Sequence, residues 1–310
     1  MRTDVLVIGA GPAGSSAAYS LAKKGVSVLL ADKSEFPREK ACGEAVGPTG
    51  VRILTKMGVM EHVKETGVGY RFFDGARVFA PNGDRIRVLY PFRRIEDEPP
   101  RGCMIRRHEL DDVLKDRAVN AGAKFLPGFE ATEPIWISHR IAGFKGRSSG
   151  QSLTVDADLV LVATGAQVRV VRALGLPVRS PVSAMAFRGY FHLRESLYTD
   201  SYLELHLDRD LLPFYGWVFP VSDRIVNVGV GLANEGRWRA NGGARNALRK
   251  FVTESPGVWE RMVGSESVES PKGFPLRTDF LSRKAYVPGA LLVGEAAGLV
   301  DPLIGEGIAF

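Results

Sequence analysis

Apolar runs, helical spacing and strict alternation follow one another along this chain. Residues 4–9 (DVLVIG) form a continuous apolar run, the mark of a strand buried on both faces of a parallel sheet. Residues 12–24 (PAGSSAAYSLAKK) have helical spacing, with Pro12 suited to the first turn and Gly25 beyond the end. A second apolar run, VSVLLAD (26–32), completes a predicted βαβ unit. Residues 33–45 read as a polar loop and 48–66 as a helix. From about 68 to 92 the pattern alternates around Asn82-Gly83, a hairpin signal. A helix is predicted over 108–121, a strand over AKFLPG, short strands up to about 157, and a buried strand over 158–165 (DLVLVATG) ending in a glycine turn. Between about 181 and 232, MAFRGYFHL, SYLELHL, YGWVFPV and RIVNVGVGL predict a mostly antiparallel sheet. A helix over 242–254 and a strand over 290–294 (ALLVG) follow. The pattern describes an α/β domain interrupted by an inserted sheet. The expected division is 1–67, 101–180 and 276–310 for the first part, and 68–100 with 181–275 for the second.

Composition adds limits rather than detail. With 310 residues, 45% hydrophobic and 25% charged, the chain has the make-up of a soluble globular protein. No apolar run approaches the roughly 20 residues of a membrane span. A strand begins directly after Met1, which leaves no room for a signal peptide, so a cytoplasmic location is expected. The formal charge of +6 reads as a solvated basic surface. Its sharper alternative is attraction to a diphosphate, a phospholipid headgroup or a membrane surface, hence a peripheral contact. No nucleic-acid-binding motif is present. Cys42 and Cys103 lie far apart with no CxxC, and the five histidines form no HExxH, so neither a disulfide nor a metal site is expected. Glu61, Glu65 and the RIEDEPP stretch read as solvated surface.

The strand–GxGxxG–helix segment carries the first chemistry. Gly9 permits a tight turn, Gly11 lets a pyrophosphate approach the backbone, and Gly14 allows close helix–strand packing. The helix N-terminus then offers unpaired N–H groups to phosphate. Asp32 ends the second strand, where an acid binds an unphosphorylated ribose. This fingerprint indicates a dinucleotide and leaves the reaction open.

Three further segments narrow the reading. FPREKACGEA (36–45) resembles the P-R-x-K-x-C-G signature of the geranylgeranyl reductase family of flavoproteins. YGWVFPVSDRIVNVGVG (215–231) resembles that family's Y-x-W-x-F-P motif with its following G-x-G, and GEAAGLVDPLIGEGI (294–308) its flavin segment. The resemblance runs the length of the chain, in order. It implies a Rossmann-like, p-hydroxybenzoate-hydroxylase-like FAD domain, bound FAD, and reduction of isoprenoid double bonds. It further implies that Ala13 and Asp32 touch the ADP half, and that Cys42, Gly43 and Ala45 lie near the isoalloxazine or ribityl chain. Arg107 would meet the pyrophosphate or ribityl region and Ala131 the adenine. Glu295, Gly298, Gly305, Gly307 and Ile308 would complete the site. Two departures stand out: Glu295 replaces the usual Asp of G-D-A-A-G, and the related A-D-G turn is Ala163-Thr164-Gly165.

Cys42, Tyr215 and Trp217 are the catalytic candidates. Cys42, with Arg38 and Lys40 nearby, would tune the flavin or relay a proton; the plainer reading is a small packed thiol. Tyr215, Trp217 and Phe219 alternate and so share one face of a strand. They read as the wall of an isoprenoid channel, or else as an aromatic core stripe. The substrates implied are a prenyl lipid, a quinone tail or a prenyl diphosphate, with NAD(P)H or a ferredoxin as electron donor. A flavin monooxygenase or halogenase on the same fold is the alternative. The chain stops at Phe310, where GEGIAF should open a helix, so a truncated, non-catalytic remnant is a third reading.

Overall fold

A computed structural model describes residues 1–67, 69–90, 100–178, 184–196, 201–232 and 242–309. Residues 94–99 of the RIEDEPP stretch lie outside that set.

The first sheet has a parallel core in the order Ala290–Leu292, Gln151–Val162, Arg2–Ile8 (β1), Val28–Ala31 (β2) and Lys124–Leu126. Both faces are covered, which is why the stretches Val5–Ile8, Val28–Ala31 and Leu159–Val162 are apolar: Leu6, Val7 and Leu30 are fully buried. Helix α1 (Pro12–Ala22) makes the crossover from β1 to β2. The strand Gln151–Val162 pairs antiparallel with Arg140–Ser148 in its first half and parallel with β1 in its second. The short strands expected up to residue 157 are therefore a long hairpin. It turns at Ser149 and Gly150, both at positive φ.

The helix expected over 48–66 is two helices, Pro48–Lys56 and Val59–Thr66, broken where Gly58 adopts φ +72°. The break lets Val59, Met60 and Val63 pack with Leu110 and Leu114 of the helix Arg107–Asn120. Among the described residues, no helix is long and apolar enough to cross a membrane.

The second sheet runs Glu266–Ser267, Ala184–His192, Ile225–Leu232, Gly216–Pro220, Tyr202–His206, Gly75–Phe79 and Arg85–Leu89. Tyr202–His206 pairs parallel with Gly75–Phe79, the exception to an otherwise antiparallel ladder. The Asn82-Gly83 hairpin joins the last two strands, although through the longer loop Ala80–Asp84. One face of this sheet packs Val218, Val226, Val228 and Val230 on Leu248 and Phe251 of the helix Gly243–Glu254. Register sets the other face. Arg188 stands opposite Gly229, Gly229 opposite Trp217, Trp217 opposite Leu205, Leu205 opposite Val78, and Val78 opposite Ile86. A parallel row begins with Tyr190, Asn227 and Phe219 and continues through Leu203, Ala76 and Val88.

Candidate functional site: a cavity between two sheets

A cavity of about 810 Å³ runs from the β1–α1 turn to this second face. At the turn, Gly9 has φ +107°, and a Cβ there would sit 2.4 Å from the Ala163 carbonyl oxygen. A Cβ on Gly14 would fall 1.8 Å from the Gly9 carbonyl oxygen, so Gly14 serves packing and does not line the cavity. Gly11 differs: nothing lies closer to its Cβ position than the guanidinium nitrogens of Arg38 at 3.5 Å and Arg107 at 3.7 Å. The turn is thus an open cradle beneath the uncapped N-terminus of α1, with two cations over it. Ala13 lines the cradle. The Asp32 carboxylate accepts the Ala10 N–H at 2.8 Å and the Ser34 N–H at 2.9 Å, which ties β2 to the turn.

Both arginines rest on one carboxylate. Arg107 donates to Asp111 through Nε and Nη2, each at 2.7 Å, and Arg38 Nη1 lies 3.1 Å from Asp111 Oδ2. Asp111 is fully buried. Burial opposes the charge on Arg107, but the Asp111 carboxylate more than compensates and raises its pKa. The Arg38 charge expected beside Cys42 is therefore engaged by Asp111.

The C-terminal segment closes the opposite side. Glu295 lies on the turn Gly294–Ala297, with its Oε1 buried and without a hydrogen-bond partner among the described residues. Burial raises its pKa, partly offset by Lys40, whose own pKa burial lowers to about 7. Both approach Gly165: a Cβ there would be 3.4 Å from Glu295 Oε2 and 4.0 Å from Lys40 Nζ. Gly305, Gly307 and Ile308 line the cavity, as does Ala131 from the strand Glu130–Ile137. Gly298 does not: it makes a left-handed turn against Asp279.

Cys42, Gly43, Glu44 and Ala45 face the aromatic stripe across the cavity. A Cβ on Gly43 would lie 3.4 Å from Phe219 Cε2 and 3.7 Å from Trp217 Nε1. Asn227 joins the two sides. Its Oδ1 accepts the Trp217 indole N–H at 3.0 Å, and its Nδ2 donates to the Cys42 carbonyl at 2.9 Å and to Glu44 Oε2 at 3.3 Å. Glu44 sits at φ +67° and also accepts the Tyr190 hydroxyl at 2.5 Å and the Arg107 N–H at 3.1 Å. Burial raises its pKa, against the pull of those donors. Cys42 Sγ accepts the Glu44 N–H at 3.3 Å. Tyr215 lines the cavity, but its hydroxyl donates to the Ile304 carbonyl, and burial pushes its pKa upward. It is pinned as wall rather than free as a proton donor.

Asn227, Glu44, Tyr190, Arg188 and Asp111 were not singled out from sequence. Asn227 had a signal, as the one polar position in the apolar strand VNVGVG. The others acquire their positions only through tertiary contacts.

Residues 2–196 match the family model described as an FAD binding domain. The menaquinone reductase of Mycobacterium tuberculosis (strain ATCC 25618 / H37Rv) is 32% identical over 99% of this chain and 73% of its own length. The digeranylgeranylglycerophospholipid reductase of Methanothrix thermoacetophila is 29% identical over 99% of this chain and 74% of its own. Among solved structures, a geranylgeranyl bacteriochlorophyll reductase-like protein from Thermoplasma acidophilum superposes with a TM-score of 0.83 at 25% identity, over 99% of this chain and 74% of that one. A flavin-dependent brominase superposes at 0.85 with 20% identity, over 100% and 76%, which shows a shared fold alone. The cavity fits FAD on its own evidence: the glycine cradle under two arginines suits a pyrophosphate, and the orphaned Glu295 Oε1 suits a hydroxyl.

Proposed function

The chain belongs to the geranylgeranyl reductase family of FAD-dependent oxidoreductases, and from that premise we propose that it saturates carbon–carbon double bonds of isoprenoid chains. Gly9, Gly11, Ala13 and Asp32 hold the ADP half in this reading, Arg107 the pyrophosphate, Ala131 the adenine, and Glu295, Gly305, Gly307 and Ile308 the remainder. Segments 1–67, 101–180 and 276–310 form the cofactor half; 68–100 and 181–275 form the substrate half. When bound, FAD supplies the hydride that one alkene carbon receives.

The chain's own residues do the rest. Trp217 and Phe219 supply an apolar, water-excluding wall opposite the Cys42–Gly43 turn, and this juxtaposition carries the reading. An alkene has no polar handle, so only such a wall can orient it. The second alkene carbon needs a proton, and Cys42, on the turn facing that wall, is the group assigned to relay it. Its hydrogen bond from the Glu44 N–H and its fixed carbonyl hold it there. NAD(P)H or a ferredoxin supplies electrons, and the prenyl lipid reaches the enzyme at a membrane surface.

The test is mass spectrometry of a geranylgeranyl lipid incubated anaerobically with the reduced, FAD-loaded protein. Mass gained in steps of two hydrogens is the expected result. No gain, together with an oxygenated product in air, overturns the reading in favour of a monooxygenase or halogenase. With Cys42→Ala, reduction slows at least about tenfold if the thiol relays the proton.

A further inference from the structure

Arg188 lines the cavity wall with only 1% exposure, yet among the described residues its Nε and Nη2 have no hydrogen-bond partner. Its Nη1 is paired with Glu269, and Lys272 shares that carboxylate at 2.5 Å, so the local balance is positive. The Arg188 guanidinium stacks 4.2 Å from the centre of the Tyr190 ring, and Arg106 lies 5.0 Å from the same ring. The Tyr190 hydroxyl donates to Glu44, and Arg188 meets the ring face of Tyr190 rather than its oxygen. Leaving two N–H-bearing nitrogens of a buried guanidinium unsatisfied is costly unless a ligand completes them.

The two cross-strand rows give that ligand a direction. From Arg188 and Tyr190 they pass the aromatic pair Trp217 and Phe219, then aliphatic Leu205, Leu203, Val78 and Ala76. They end at Ile86 and Val88, which are 62% and 48% exposed on the edge strand. Polarity therefore falls steadily from the buried end to the open end. Five strand-to-strand steps at ~4.8 Å span ~24 Å, comparable with an extended geranylgeranyl chain.

We propose that Arg188 anchors an anionic oxygen headgroup, of the phosphate class, and that the prenyl tail lies across the strands and leaves at the Ile86–Val88 edge. The proposal rests on the prenyl-reductase reading, but it concerns binding alone and needs no turnover to be tested.

Calorimetric titration of the oxidised, FAD-loaded protein uses geranyl, farnesyl and geranylgeranyl diphosphates, with geranylgeraniol as the uncharged control. The wild type is expected to bind geranylgeranyl diphosphate at least about tenfold more tightly than geranylgeraniol, the worth of one charge-assisted hydrogen bond. Arg188→Met removes that preference and leaves geranylgeraniol affinity within about twofold. Arg188→Lys, which keeps the charge against Glu269 but loses the fork, retains part of the preference. Val88→Asp weakens geranylgeranyl diphosphate but spares geranyl diphosphate, whose tail does not reach the edge. An undiminished headgroup preference in both Arg188 variants overturns the anchor, as does tighter, Arg188-dependent binding of a geranylgeranyl naphthoquinone. Equal loss for all tail lengths in Val88→Asp overturns the direction. If no double bond is ever reduced, these titrations still read, so the two failures are separable.

Discussion

Asp111→Asn isolates the electrostatics of the pyrophosphate cradle. One fully buried carboxylate neutralises one of two guanidinium groups, which leaves a net charge of about +1 facing the α1 N-terminus. The amide keeps the shape and one acceptor oxygen but loses the charge, so Arg38 and Arg107 repel without compensation. Breaking a buried pair from one side costs about 3–5 kcal/mol. For a chain of this size that lowers the melting temperature of the apoprotein by roughly 5–8 °C. Adding FAD returns two negative charges to the same place, and they now meet +2 rather than +1. The stabilisation FAD gives should therefore be larger in the variant than in the wild type, although the apoprotein is weaker. The assay is thermal melting of apoprotein at a series of FAD concentrations, at low salt, with flavin fluorescence as a second binding readout. An apoprotein that melts within about 2 °C of wild type would show that Asp111 is not the counter-charge. A variant destabilised as expected, yet with a smaller FAD shift, would refute the cradle as a pre-charged site: the carboxylate would then act by holding Arg107 in position.

Other perturbations separate packing from binding. Gly11→Val should leave stability within about 1 kcal/mol, because φ −74° suits any residue, but weaken FAD binding more than about tenfold in a flavin-fluorescence titration. Gly14→Ala, whose Cβ would meet the Gly9 carbonyl oxygen at 1.8 Å, should instead lower the yield of folded protein, measured by circular dichroism of the soluble fraction. Asn227→Ala strands the Trp217 N–H and the Cys42 carbonyl, a loss of roughly 2–4 kcal/mol by urea unfolding; indole fluorescence should change as Trp217 loses its fixed partner. Lys40 has a folded pKa of about 7, below its unfolded value, so between those values the folded apoprotein holds fewer protons and its stability rises with pH. From pH 7 to 9 the gain should be roughly 2 kcal/mol and should vanish in Lys40→Met; equal slopes for both proteins would refute the assignment.

What could be read from the sequence follows from how local each determinant is. The β1–α1–β2 unit was legible because its run of apolar residues, its Pro12 and its glycines act within one supersecondary element. Gly14 was even legible by role, since helix–strand contact is fixed by the same turn. Tyr215, Trp217 and Phe219 were legible as a shared face because strand period alone sets it. What they face was not, since the Cys42–Gly43 turn reaches them from more than 170 positions away. The break at Gly58 was missed because the apolar spacing on either side is helical, and only a left-handed glycine redirects the second helix. The long hairpin into Gln151–Val162 was missed because its two halves obey different rules, an antiparallel edge and then a buried parallel strand. Charges were the least legible. Arg38 looked like a neighbour of Cys42 by sequence, yet Asp111, which was not singled out there, takes it. A carboxylate 73 positions away decides whether that arginine acts on a thiol or a pyrophosphate. The same dependence makes Arg188 informative: its strand is one alternation among several, and only the fold shows that two of its nitrogens find no hydrogen-bond partner among the described residues.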